Sequence, residues 1–165
     1  MNFVSWKSLI SNMATAVAMA MLGSISAYAA GACRETICAE QGWTRATPGD
    51  AQTAAIYFSI INQGDAADIL VKASTPVAAS AMFHRTTLTK NIARMDMVAN
   101  IPVPAHGRVT FGPLGYHAML TGLKAPLAEG ARFPLTLDLA SGRHLSFDIH
   151  VVGATANGPL HPGND

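Results

Sequence analysis

Phe133-Pro134-Leu135-Thr136-Leu137-Asp138-Leu139-Ala140-Ser141-Gly142-Arg143-His144-Leu145-Ser146-Phe147-Asp148-Ile149-His150-Val151 is the stretch that decides the fold. Phe133, Leu135, Leu137 and Leu139 alternate with Pro134, Thr136 and Asp138. After Ser141-Gly142, the residues Leu145, Phe147, Ile149 and Val151 alternate again. Successive side chains of a strand point to opposite faces, so this period of two gives each arm one apolar and one wet face. Two such arms joined by a turn read as a half-buried antiparallel hairpin.

The rest of the chain repeats the pattern in shorter form. Ala54 to Ile61 is rich in apolar and aromatic residues, Asn62-Gln63-Gly64-Asp65 turns the chain, and Ile69 to Lys72 follows; these two runs are expected to pair as a second hairpin. Further strands are expected around Ser80 to Thr86, Ala93 to Val98, Arg108 to Phe111 and Tyr116 to Leu120. Pro102, Pro104, Gly107, Gly112, Pro113 and Gly115 punctuate the loops between them. No long helical period occurs after the first segment. The expected fold is an all-β sandwich with Greek-key connections.

The N-terminal segment is set apart from the fold. Lys7 gives a basic start, Met13 to Ile25 is small and apolar, and Ala27-Tyr28-Ala29 is an A-x-A cleavage signal. Residues 1–29 therefore read as a secretory signal peptide, which implies export. An uncleaved anchor is one alternative. Another is a lipoprotein, because Ala30-Gly31-Ala32-Cys33 faintly resembles a lipidation box; a lipid on Cys33 would exclude a disulfide there. Residues 30–42 are expected to form an N-terminal segment with a local disulfide, 43–152 the β-sandwich domain, and 153–165 a mobile tail.

The formal net charge is only +1, and Lys7 is the one charged residue of the leading segment. No basic stripe is left for nucleic acid or anionic lipid. Cys33 and Cys38 are the two cysteines. In an oxidising exported compartment they can pair as a local staple, and their spacing is not the C-x-x-C of a thiol oxidoreductase.

The chemistry-bearing residues are soft. Met82, Met95, Met97 and Met119 are all the methionines beyond the leading segment, and His84, His106 and His117 lie among them. Four of these residues run H-x10-M-x21-H-x-M: His84, Met95, His117 and Met119. Two imidazoles and two thioethers suit Cu(I) and are poor ligands for hard cations. Methionines at alternating positions are ordinarily core filler. Core filling gives no reason, however, for all of them to lie beside two histidines. Residues two apart share a strand face, which pairs Met82 with His84, Met95 with Met97, and His117 with Met119. Phe83 implies that Met82 and His84 point outward; Arg94 and Asp96 imply that Met95 and Met97 point inward. Met82 and Met97 are open between packing and ligation. His144 and His150 are expected on a solvated face, His106 in an exposed turn, and His161 in the tail.

The spacing, with Trp43-Thr44-Arg45-Ala46-Thr47-Pro48, Ile60 to Asp65, Ile101-Pro102-Val103-Pro104 and Gly115-Tyr116-His117-Ala118-Met119-Leu120-Thr121-Gly122-Leu123, resembles the periplasmic PCuAC family of copper chaperones. The resemblance runs from Trp43 to Val151. It implies a cupredoxin-like β-sandwich, Cu(I) held by His84, Met95, His117 and Met119, a periplasmic location and a role in copper supply to the CuA centre of cytochrome c oxidase. Members often carry a Met directly after the first His, where this chain has Arg85.

Capture and hand-off, not catalysis, is the expected activity. The expected partner is a copper-accepting protein, such as an oxidase CuA domain or another copper chaperone. Membrane contact is expected only through that partner, and the chain itself is expected to be a monomer. A blue-copper carrier would need a Cys ligand near the His and Met residues, and the cysteines lie far upstream. A hydrolase would need a nucleophile motif such as G-x-S-x-G, which is absent. Two rivals stay open: a copper sequestration protein using the same site, and a metal-free β-sandwich interaction module.

Overall fold

The computed structural model describes residues 32–159. The expected signal peptide, the lipidation box at Ala30 and Gly31, and the end of the tail with His161 lie outside the described residues. Eleven strands make up the described part: β1 (Ala32–Arg34), β2 (Ile37–Arg45), β3 (Thr53–Asn62), β4 (Asp68–Ser74), β5 (Ala78–Thr89), β6 (Ile92–Met97), β7 (Ile101–Val103), β8 (Gly107–Phe111), β9 (Tyr116–Leu123), β10 (Arg132–Leu139) and β11 (His144–Val152). The all-β sandwich anticipated from the alternating runs, which the PCuAC resemblance implies to be cupredoxin-like, is therefore the fold found.

β10 and β11 form the hairpin that the opening stretch predicts, with Leu135 opposite Phe147 and Leu137 opposite Leu145. Their inward residues are buried together with Ile37, Ile56, Ile60, Leu70 and Leu120. Burying a side chain of this size contributes about 1.5–3 kcal/mol, which makes this core the main source of stability. β11 runs parallel to β2, β2 antiparallel to β3, and β3 antiparallel to β9 and β8. β9 continues to β5 and β5 to β6, while β10 continues to β4 and β4 to β7. A single pairing of Ala73 with Ala81 joins β4 to β5.

Three expectations change. β3 and β4 are strands, but they do not pair with each other. β3 is central, with β2 on one edge and β8 and β9 on the other, so no edge is left for β4. The chain crosses between sheets instead. Asn62 is buried there; its side-chain amide donates to the Ala66 carbonyl at 2.8 Å, and its Oδ1 accepts from the Gly64 N–H at 3.0 Å. Second, the division expected at 42/43 falls inside β2, whose Ile37 and Ala39 are fully buried core residues. Third, the start of the expected mobile tail is bonded to the sandwich. Arg45 Nε donates to the Ala156 carbonyl at 2.7 Å and Arg45 Nη2 to Asn157 Oδ1 at 3.3 Å.

Cys33 and Cys38 form a disulfide across the β1–β2 hairpin, in which they are register partners. The bridge ties the first strand to the second, as the short spacing led one to expect. In the middle of β2 lies a bulge. The register with β3 shifts between Glu40 and Trp43, so that Gln41 and Gly42 oppose a single residue. Gln41 takes a positive φ of 57°, and a Cβ on Gly42 would lie 2.8 Å from the Asp148 carbonyl oxygen. The bulge changes the phase of β2. Ile37 and Ala39 face the core before it, and Trp43 faces outward beside Tyr57 after it, with ring centroids 4.6 Å apart.

Candidate metal centre

The outer face of β5, β9 and β6 carries the soft residues. Phe83, Ala118 and Leu120 turn into the core, so by alternation Met82, His84, His117 and Met119 turn outward. Antiparallel register then sets them side by side: Met82 opposite Met119, and His84 opposite His117. On the other edge of β5, Met97 is opposite His84 and Met95 is opposite Thr86. Directly opposed residues of neighbouring strands share a face, so two imidazoles and four thioethers converge on one surface.

The expected outward direction of Met82 and His84 is found. The inward direction expected for Met95 and Met97 is not, since these residues are 53% and 69% exposed. All six residues of β6 are exposed, because among the described residues β6 is an edge strand bonded only to β5. Polar neighbours such as Arg94 and Asp96 carry no directional information where neither face is covered.

His117 is outward-facing but only 3% exposed. The cause is Tyr57, whose ring centroid lies 6.4 Å from that of His117 and which is itself backed by Trp43 and Val152. This aromatic wall was not read as part of the site from the sequence. A lone Gly42 inside a strand pattern was the available signal, because such a glycine often marks a bulge.

The two rings are poised differently. The Nδ1 of His117 lies 3.3 Å from the Gly115 carbonyl, an acceptor only. Nδ1–H therefore donates, and Nε2 is left as the lone-pair nitrogen of the neutral ring. Burial lowers the pKa of His117 below its ordinary 6.5; the Gly115 hydrogen bond opposes this and nearby His84 adds to it. His84 keeps its Nδ1 buried and without a hydrogen-bond partner. Leaving such an atom unsatisfied costs about 1–3 kcal/mol, and a metal bond would relieve that cost. The ring centroids are 5.8 Å apart and nearly perpendicular, at 85°.

Among the described residues, no group of three or more His, Cys, Asp or Glu could hold a metal ion. The donors gathered here are imidazole and thioether, a set suited to cuprous ion and unsuited to Mg²⁺ or Ca²⁺. The remaining histidines are elsewhere. His106 is exposed in a turn, 2.8 Å from Asp65, and His144 is exposed, 2.8 Å from Asp138. His150 is partly buried, and burial together with Arg132 lowers its pKa.

Fold and face together define an all-β domain of the PCuAC type. The chain belongs to the LpqE-like family, whose model matches residues 37–151. It is 32% identical over 139 residues to "Putative lipoprotein Lxx21020" of Leifsonia xyli subsp. xyli (strain CTCB07), a match covering 78% of this chain and 82% of that protein. Among solved structures, the copper-bound PCuAC domain from PmoF2 has a TM-score of 0.64 at 22% identity, covering 75% of this chain and 98% of that domain; the likeness is one of fold. The solution structure of CuI-DR1885 from Deinococcus radiodurans has a TM-score of 0.57 at 35% identity, covering 70% of this chain and 77% of that one.

Proposed function

We propose that this protein is an exported, periplasmic Cu(I) chaperone that holds the ion through His84, Met95, His117 and Met119 and passes it to an acceptor protein. The observation that carries the proposal is the register of β5 and β9, which sets His84 against His117 and Met82 against Met119 on one outward face. The copper-bound state of two structural relatives, the PmoF2 domain and DR1885, supports the choice of metal. Met97, which faces His84 across the β5–β6 hairpin, competes with Met95 for the fourth position. Neutral nitrogen and sulfur donors on an exposed edge make the ion exchangeable, since an incoming ligand can replace one thioether at a time. The acceptor class that the PCuAC resemblance implies is the CuA domain of cytochrome c oxidase.

Titration with Cu(I) against a competing chelator tests the reading. Stoichiometric binding that is lost in His117→Ala and Met119→Ala supports it; no binding, or binding unchanged in both variants, overturns it. Delivery is tested apart from binding, by mixing the loaded protein with an apo oxidase CuA domain. Retention of copper by a protein that binds it normally would favour sequestration.

A further inference from the structure

We infer that β6 is a self-recognition edge, along which a second copy of this chain pairs antiparallel about a two-fold axis through Met95. The inference concerns association alone and stands whether or not the metal proposal does. β6 is bonded to β5 on one side, and among the described residues its other side has no strand partner. The open side has a defined hydrogen-bonding phase. Val98 N–H donates to the Phe83 carbonyl at 2.8 Å, which makes Phe83 and Val98 a hydrogen-bonded pair in the β5–β6 register. Alternation along an antiparallel ladder then points the N–H and C=O of Asp96 and Arg94 toward β5, and those of Ala93, Met95 and Met97 toward the open edge.

Centred on Met95, two copies of Ile92-Ala93-Arg94-Met95-Asp96-Met97 place Met95 against Met95 and Ala93 against Met97, all with outward backbone groups ready to pair. The same register sets each Arg94 against Asp96 of the second copy. Opposite charges directly across a strand pair are favourable and like charges are not. Moving the axis by one residue sets Arg94 against Arg94, or Asp96 against Asp96, so charge selects the Met95-centred register. Edge strands usually use charge to repel other strands. Opposite signs two residues apart protect against foreign edges while complementing the chain's own copy.

Both charges are available. Neither Arg94 nor Asp96 makes an ion pair among the described residues. Arg85, which faces Asp96 across the hairpin, places its guanidinium over the Tyr116 ring at 5.3 Å. Ile92, 72% exposed, would face Val98 of the second copy. The contact is isologous and small, so the pair is reversible and gives way to the expected monomer at low concentration.

Sedimentation of the protein in a copper-chelating, low-salt buffer, over protein concentrations from about 10 µM to about 1 mM, tests this. The wild type should associate with rising concentration. Arg94→Asp alone and Asp96→Arg alone should each stay monomeric throughout, because each opposes like charges. An equimolar mixture of the two variants restores both Arg–Asp pairs and should associate as the wild type does. A monomeric wild type, single variants that associate like it, or a mixture that stays monomeric would each overturn the inference. Both residues are exposed, and unchanged thermal unfolding of the single variants separates lost pairing from lost folding.

Discussion

His84 and His117 face each other across β5 and β9 with their ring planes at 85°, one ring with a buried and unpartnered nitrogen and the other anchored through Nδ1 to the Gly115 carbonyl. The anchored ring is held in one tautomer by its hydrogen bond, while the other has a polar atom still to satisfy. Both differences bear on how the pair would take up a soft ion.

Ligand truncation should separate the thioethers. His84→Ala, His117→Ala and Met119→Leu are each expected to weaken Cu(I) binding by at least about tenfold, equivalent to about 1.4 kcal/mol. Met95→Leu and Met97→Leu are expected to have smaller single effects than the double variant, because either thioether can reach the face from β6. Chelator competition measures all six variants.

Acid should affect His117 late. Its pKa lies below 6.5 because burial disfavours the charged ring. As pH falls through about 6.5, the unfolded chain takes up a proton at this position before the folded one does. The associated stability is thus complete above 6.5 and declines as pH falls toward the folded value. Ligation at His117, which needs the neutral ring, should persist to lower pH than at an ordinary histidine. Following the ring resonances by NMR against pH checks the order, and Tyr57→Ala, which uncovers the ring, should move the titration back toward 6.5.

Gly42 should not tolerate a side chain. A Cβ there would meet Ile149 Cδ1 at 2.7 Å, Phe147 Cε2 at 2.8 Å and the Asp148 carbonyl at 2.8 Å. The side chains can shift, but the backbone oxygen of a paired strand cannot do so easily. Gly42→Ala is expected to cost about 1–3 kcal/mol in chemical denaturation.

Asp68 should behave as an acid-sensitive clamp. Burial alone would raise its pKa, but hydrogen bonds from the Ser141 hydroxyl and the N–H groups of Ile69 and Ser141, with the Arg143 guanidinium, hold it below 3.8. Its contribution is present above 3.8 and is lost as pH falls through the lowered value. Asp68→Asn is expected to destabilise by about 1–3 kcal/mol at neutral pH and by much less in strong acid, as measured by urea unfolding at both pH values.

Sequence legibility followed burial. The 133–151 hairpin was readable because both arms bury one face, so the alternation is regular. Phe83 fixed the direction of Met82 and His84 for the same reason. β6 was misread because neither of its faces is covered, and the partners of β3 were misread because a strand apolar on both faces does not record which neighbour it takes. The Tyr57 and Trp43 wall depends on a one-residue bulge, which shifts phase without changing composition. The four-residue donor spacing was visible from residue types, whereas the opposition of His84 to Met97 required the hairpin register.

The disulfide of the first hairpin bears on whether a lipid can be carried at Cys33. Cys33 is the residue that a lipid would occupy, and here its sulfur is joined to Cys38. One sulfur cannot form both bonds. Cys38 therefore reports the state of a residue five positions away: in protein kept from reductants, a Cys38 thiol that alkylates while Cys33 does not marks a chain whose Cys33 carries another group, and a Cys38 protected until a reductant is added marks a chain not tethered at that atom.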